Sequence, residues 1–254
     1  MINELLLLSG NDIPLEKLNL LFHPPTVREI AYIGEDTFFT GCEILRFSKE
    51  NLSEEDKNHL ENISNFNIIM SIIREKNEGT QYNRQCVLQV LSLLFPSYKI
   101  NLDFDKSEII FKQDDIMLSL NEKNYDIFLE ALNEILVLGG GDKEYNPAGG
   151  LANKIAEKLK RGRQKVVAKE SKSNQKVAIL SRYISILAVG ENKDMNALLN
   201  YSLYQLFDEF KRFQLKLAFD AHQSALLAGA KSEDLGEVKD WMKDIHSNDE
   251  DEEQ

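Results

Sequence analysis

Chemistry in this chain would have to come from His23, His59, His222 and His246, from Cys42 and Cys86, or from some pair among its 42 carboxylates. Zinc hydrolysis on a helix needs two histidines one turn apart, as in HExxH, and no two histidines stand at that spacing. A metal or redox centre built on thiolate needs CxxC or a cysteine with a nearby histidine. Cys42 and Cys86 have neither, so they read as reduced, buried thiols behaving as small hydrophobes. The glycine-rich stretch "GGGDKEYNPAGG" contains neither GxxxxGK[ST] nor a GxGxxG after a strand, so it is a linker and not a phosphate loop. Asp103/Asp105 and Asp114/Asp115 fall at expected strand ends and turns, where Asp bonds its own backbone. No GxSxG elbow or cysteine-nucleophile signature is present. The expectation is a protein that is not an enzyme, with no cofactor and no metal.

The elements that would position any site divide into two groups. "ELLLLS" and "KLNLLFH", separated by "GNDIP", read as two antiparallel strands. "PPTVREIAYIGEDTFFTGCEILRF" carries a capping box, Thr26 with Glu29, for a helix that Gly34 and Gly41 interrupt or end. Ser53 caps a further helix with acidic residues in its first turn. "FNIIMSIIREKN" and "NRQCVLQVLSLLF" are two more helices, the second stopped by Pro96. "YKINLDF", "EIIFKQ" and "IMLSL" then read as a three-stranded meander, followed by the helix "NYDIFLEALNEILVL". Residues 1–138 form an α+β domain by this reading. Residues 139–150, with five glycines and one proline, form a flexible linker. Residues 151–245 form a helical domain, and 246–254 a disordered acidic tail. The fold class is α+β, mainly helical, with small antiparallel sheets confined to the N-terminal domain.

The length of 254 residues and 43% apolar content allow a real core. No run of 18 apolar residues exists, and "MINELLLLSG" has no basic n-region, so neither membrane nor export is expected and the location is a cytoplasm. The net charge of −12 is unevenly laid out. Residues 1–150 carry 13 basic and 25 acidic groups, 151–190 carry 10 and 2, and 191–254 carry 7 and 15. The basic middle, "NKIAEKLKRGRQKVVAKESKSNQK", includes Arg161, Arg163 and Lys165. It reads as a solvated helix face with Ile155, Leu159 and Val166 packed inward. Two alternatives stand beside that: an electrostatic dock for an acidic protein or another copy of this chain, and a nucleic-acid contact. The sequence pI of about 4.9 and the lack of an aromatic residue in the segment argue against nucleic acid.

The richest stretch is "YSLYQLFDEFKRFQLKLAFDAHQSALLAGAK", residues 201–231. Ser202 with Gln205 forms a capping box, and Gly229 sits at the C-terminal cap of a helix running to Ala228. Leu203, Leu206, Phe210, Phe213 and Leu217 follow the 3-4-3-4 spacing of a helix packed on another helix. Tyr204, Phe207 and Phe219 widen that stripe, so it is either core or in part offered to a partner. Phe213, on the seam, is expected in the core, and Tyr204 and Phe207, beside it, are expected as contacts. Trp241 lies on a short final helix, "EVKDWMKDI", as a lid or an anchor.

The order "YSLYQLFDEFKRF", "SALLAGAK" and "VKDWMKDI", preceded by "KLKRGRQKV" and by "PTVREIAYIGEDTFF", resembles a family of tail-module proteins of phages and prophages of low-GC Gram-positive bacteria, usually described as tail assembly chaperones. The resemblance implies a helper in the host cytoplasm that escorts the tape-measure protein or other tail proteins. It offers no catalytic set. Its partner-facing candidates fall on Tyr204, Phe207, Phe210 and Phe213, with Arg161 and Arg163 from the basic segment. A structural tail or baseplate component and a nucleic-acid-binding regulator remain as alternatives.

Exposed glycine-rich backbone has few hydrogen bonds to protect it. Limited proteolysis is therefore expected to cut first within residues 139–150 and leave two resistant fragments. First cleavage elsewhere, with this stretch intact, would remove the linker reading.

Overall fold

The computed structural model describes residues 2–49, 60–74, 78–137, 179–231, 235 and 241–242. The expected Ser53 cap, the glycine-rich linker, the basic segment and the acidic tail lie outside these residues. The chain divides into two compact units, one made of Met1–Gly139 with Leu199–Tyr204, the other of Gly140–Leu198 with Gln205–Gln254. The fold is α+β, with both small antiparallel sheets in the first unit and helices in the second.

The first unit opens with helix α1 (Glu4–Ser9), which corrects the strand expected for "ELLLLS". A run of leucines fits either period, and its flanks decide the matter. Asn3 accepts the Leu5 N–H through its side chain, and Gly10, at φ 67°, ends the helix in the left-handed conformation. The hairpin instead pairs β1 (Ile13–Leu15) with β2 (Leu20–Phe22), so residues first read as a turn form a strand. Ile13, Leu15, Leu20 and Phe22 are buried while Pro14 and Leu21 face out, the alternation of a hairpin covered on one face.

Helix α2 (Val27–Ile33) starts at the Thr26 capping box, with both reciprocal bonds to Glu29 formed. Gly34, at φ 92°, separates it from α3 (Glu35–Leu45). Gly41 does not interrupt α3. It lies where helix α5 (Glu78–Leu94) passes closest: a Cβ there would stand 2.6 Å from Val90 Cγ2 and 2.7 Å from the Cys86 carbonyl oxygen. Helix α4 (Asn65–Arg74) buries Phe66, Ile69, Met70 and Ile73 on one face. The meander β3 (Lys99–Asp103), β4 (Glu108–Gln113) and β5 (Ile116–Leu120) is antiparallel throughout, with β4 central. Asp103 Oδ1 accepts the N–H groups of Asp105 and Lys106 at 3.1 Å, the turn role expected of it. Helix α6 (Tyr125–Leu136) follows and buries Tyr125, Phe128, Leu132 and Ile135. The Tyr125 hydroxyl donates to the Leu45 carbonyl, and burial raises its pKa well above the ordinary tyrosine range.

The returning segment completes this unit at the start of α2. Thr26 and Ser202 form an isolated antiparallel bridge, the Val27 N–H donates to the Tyr201 carbonyl at 2.9 Å, and Arg28 Nε donates to Asn200 Oδ1 at 3.0 Å. Ser202, Leu203 and Tyr204 are buried. The second unit contains α7 (Ile179–Gly190) and most of α8 (Met195–Leu199) and α9 (Leu203–Leu227). Beyond α9 the Gly229 N–H bonds the Leu226 carbonyl and the Ala230 N–H bonds the Ala225 carbonyl, with Gly229 at φ 93°. That paired closure confirms the cap expected at Gly229.

The two glycines give contrasting expectations. Gly41→Ala should cost about 1–3 kcal/mol, because the new methyl meets backbone on α5 and the helices must separate. Gly229→Ala has open space around it, and only its left-handed backbone should cost about 1–2 kcal/mol. Thermal melts check both, and an unchanged midpoint for Gly41→Ala would contradict the close approach of α3 and α5.

Candidate functional site

Helix α9 carries the residues singled out as partner-facing, and the structure sorts them. Tyr204, expected as a contact, is only 5% exposed and belongs to the buried part of the returning segment, so it is corrected to a core residue. Its place beside the seam was the reason for expecting exposure, but the segment carrying it is drawn into the first unit. Phe213 is buried as expected, with its ring against Gly190 at the end of α7. A Cβ on Gly190 would lie 2.3 Å from Phe213 Cζ, so the glycine is what lets the ring seat.

Phe207 and Phe210 are half-buried and share one neighbour, Tyr183 of α7. The Tyr183 ring stacks on Phe210 with centroids 4.1 Å apart and meets Phe207 edge-on at 5.7 Å. Each pairing stabilises by about 0.5–1.5 kcal/mol beyond burial and leaves part of both phenyl rings on the surface. Tyr183 was not among the expected site residues. The segment that carries it, "KVAILSRYISILAV", is apolar and periodic, a pattern that does not tell a packed tyrosine from an exposed one.

Beyond Phe213 no residue of α9 is buried, and Leu217, expected on the seam, is 52% exposed. The seam therefore ends one step earlier than its spacing implied. Ile186 and Val189 of α7 and Leu227 of α9 are exposed apolar side chains of the same unit. Trp241 is half-buried, and its carbonyl accepts from Arg212 Nη1 at 3.2 Å. Arg212 Nε also pairs with the buried Asp208 at 3.1 Å, so the tryptophan's backbone is tied to α9 through a charged pair one turn apart. Lys193 joins Glu191 and Glu209 at the head of this helix pair. Arg161 and Arg163 lie outside the described residues.

The first unit contains groups with chemical character that serve its structure. Cys42 and Cys86 are buried and form no disulfide, and burial pushes the Cys42 thiol up to about 12, so it stays protonated at neutral pH. Among the described residues no group of three His, Cys, Asp or Glu is arranged to hold a metal ion. An open groove of about 690 Å³ runs along α5, lined by Ile33, Arg84, Leu88 and Leu93 with glutamines between them. No described helix is long and apolar enough to cross a membrane.

These features define an α+β protein with a helical second unit that presents half-buried aromatic residues. Residues 170–246, which span α7, α8, α9 and Trp241, are similar to the family model described as YomV second domain, a match that suggests a phage-derived family. No curated protein and no solved structure matches the chain.

Truncation should separate the seam from its flank. Phe213→Ala is expected to cost about 3–5 kcal/mol, through lost burial and the cavity beside Gly190. Phe207→Ala should cost under half of that. Equal losses in denaturant titrations would show that both rings are core.

Proposed function

We propose that this chain is a non-enzymatic tail assembly chaperone that binds the tape-measure protein of a phage through the aromatic row on α9. The observation that carries the reading is that Phe207 and Phe210 stay partly at the surface while Tyr183 holds their rings in place. Rigid aromatic side chains lose little entropy on binding and are enriched at the energetic centres of protein interfaces. They lie within the stretch similar to the YomV second domain, which supports a phage setting. The resemblance of the sequence to tail assembly chaperones supplies the partner: a long helical protein whose apolar stripe would be covered by such a row. Trp241, whose carbonyl accepts from Arg212 of α9, is a further candidate contact. Arg161 and Arg163 would contribute long-range attraction to an acidic partner.

Co-expression with the tape-measure protein tests this. Phe207→Ala combined with Phe210→Ala should weaken capture by roughly tenfold or more, the loss expected of hot-spot residues, and leave the first unit folded. Tyr204→Ala is the contrasting variant, because its buried ring should lower the melting temperature. Undiminished capture by the double variant would overturn the proposal. Incorporation of the chain into purified particles would favour a structural tail component instead.

A further inference from the structure

We infer that Asp12, His23 and Glu29 form a proton-controlled clasp that holds the N-terminal hairpin, and through α2 the returning segment Leu199–Tyr204, in place on the first unit. His23 follows β2 directly and its side chain is three-quarters covered. Its Nδ1 lies 2.7 Å from Asp12 Oδ1, and its Nε2 lies 3.2 and 3.3 Å from the two oxygens of Glu29. Ionised carboxylates only accept hydrogen bonds, and a neutral imidazole has one N–H. Only the imidazolium satisfies both sides at once. With the ring neutral, one nitrogen lone pair faces a carboxylate across hydrogen-bond distance, which is repulsive.

Glu29 connects this ring to the rest. Its Oε2 accepts the Thr26 N–H and hydroxyl, each at 2.8 Å, as the acidic half of the α2 capping box. The returning segment attaches to two residues that lie between His23 and Glu29: Thr26 bridges Ser202, and the Val27 N–H donates to the Tyr201 carbonyl. The groups facing the ring are Asp12 from the loop before β1 and Glu29 from α2. Helix α5 contributes the Leu94 carbonyl, which accepts the backbone N–H of His23 at 2.8 Å, and the returning segment contributes neutral groups to α2.

The titrations act in a definite direction. Burial opposes charge on His23, but the hydrogen bonds and charges of Asp12 and Glu29 outweigh it and hold its pKa above 6.5. The stability it contributes is complete below the unfolded value and is lost as pH rises through the raised one. For Glu29, burial would raise the pKa, yet the bonds from Thr26 and His23 keep it below 4.5. Its contribution is present above that unfolded value and is lost as pH falls through the lowered one. The clasp is therefore whole between about pH 4.5 and 6.5 and opens on the alkaline side as pH rises through the raised value of His23.

Hydrogen exchange of the full chain, corrected for intrinsic rates, tests this at about pH 6 and pH 8. Segments 13–30 and 199–204 should lose about two- to fivefold protection at the higher pH, relative to β4, the range expected of partly exposed ion pairs. His23→Gln should show the low protection already at pH 6, without further change. Protection that is constant in the parent chain, or that keeps its pH dependence in His23→Gln, would overturn the clasp. Asp12→Asn supplies an independent reading by NMR titration of the assigned His23 ring: its pKa should stand above 6.5 in the parent and fall in the variant. A His23 ring that is neutral at pH 6 in the parent would overturn the inference by itself.

Discussion

Phe95 is the side chain on which the first unit is assembled. It is fully buried, and its ring meets Phe22 of the hairpin at 5.4 Å, Phe111 of the meander at 5.0 Å and Phe128 of α6 at 6.1 Å. Three elements distant in sequence are thus referred to one ring, two of them edge-on, where the positive rim of one aromatic meets the negative face of the other. Pro96 stops α5 at Leu94, and Phe95, directly beyond the helix end, is buried in the core. The Leu94 carbonyl, left unpaired at that helix end, accepts the His23 N–H, so the same stop also fixes where the hairpin re-enters the fold.

A second constraint acts at the start of α2. The first N–H groups of a helix need partners from outside it, and here Thr26 supplies one acceptor and Tyr201 another. This explains why Leu199–Tyr204 belongs with the first unit although it lies some sixty residues beyond it along the chain. Helix α9 in consequence carries two kinds of aromatic residue within two turns. Tyr204 is spent on the fold, whereas Phe207 and Phe210 keep surface that a partner could cover. A functional reading of this helix has to begin after its first turn.

Charge is arranged locally in both units, with acid and base placed to serve helix ends and helix pairs. Asp208 pairs with Arg212 one turn along α9, and Lys193 pairs with Glu191 and with Glu209 of α9.

Period, caps and breakers were enough to determine helices α2, α4, α5, α6 and α9, the three-stranded meander, the Thr26 capping box and the Gly229 closure, because each depends on residues within a few positions of one another. "ELLLLS" was not settled in this way: a short leucine run satisfies both periods, and its helix depends on Asn3 and Gly10 at its ends. Gly41 could be read only as a break, since its actual role, admitting Val90 and Cys86 from α5, is a contact across some fifty residues. The aromatic stripe of α9 was visible from its spacing, but spacing is blind to what lies opposite. Only the tertiary structure decided that Tyr204 is buried, that Tyr183 holds Phe207 and Phe210, and that His23 bridges Asp12 and Glu29, because burial and charge pairing are properties of neighbours in space and not along the chain.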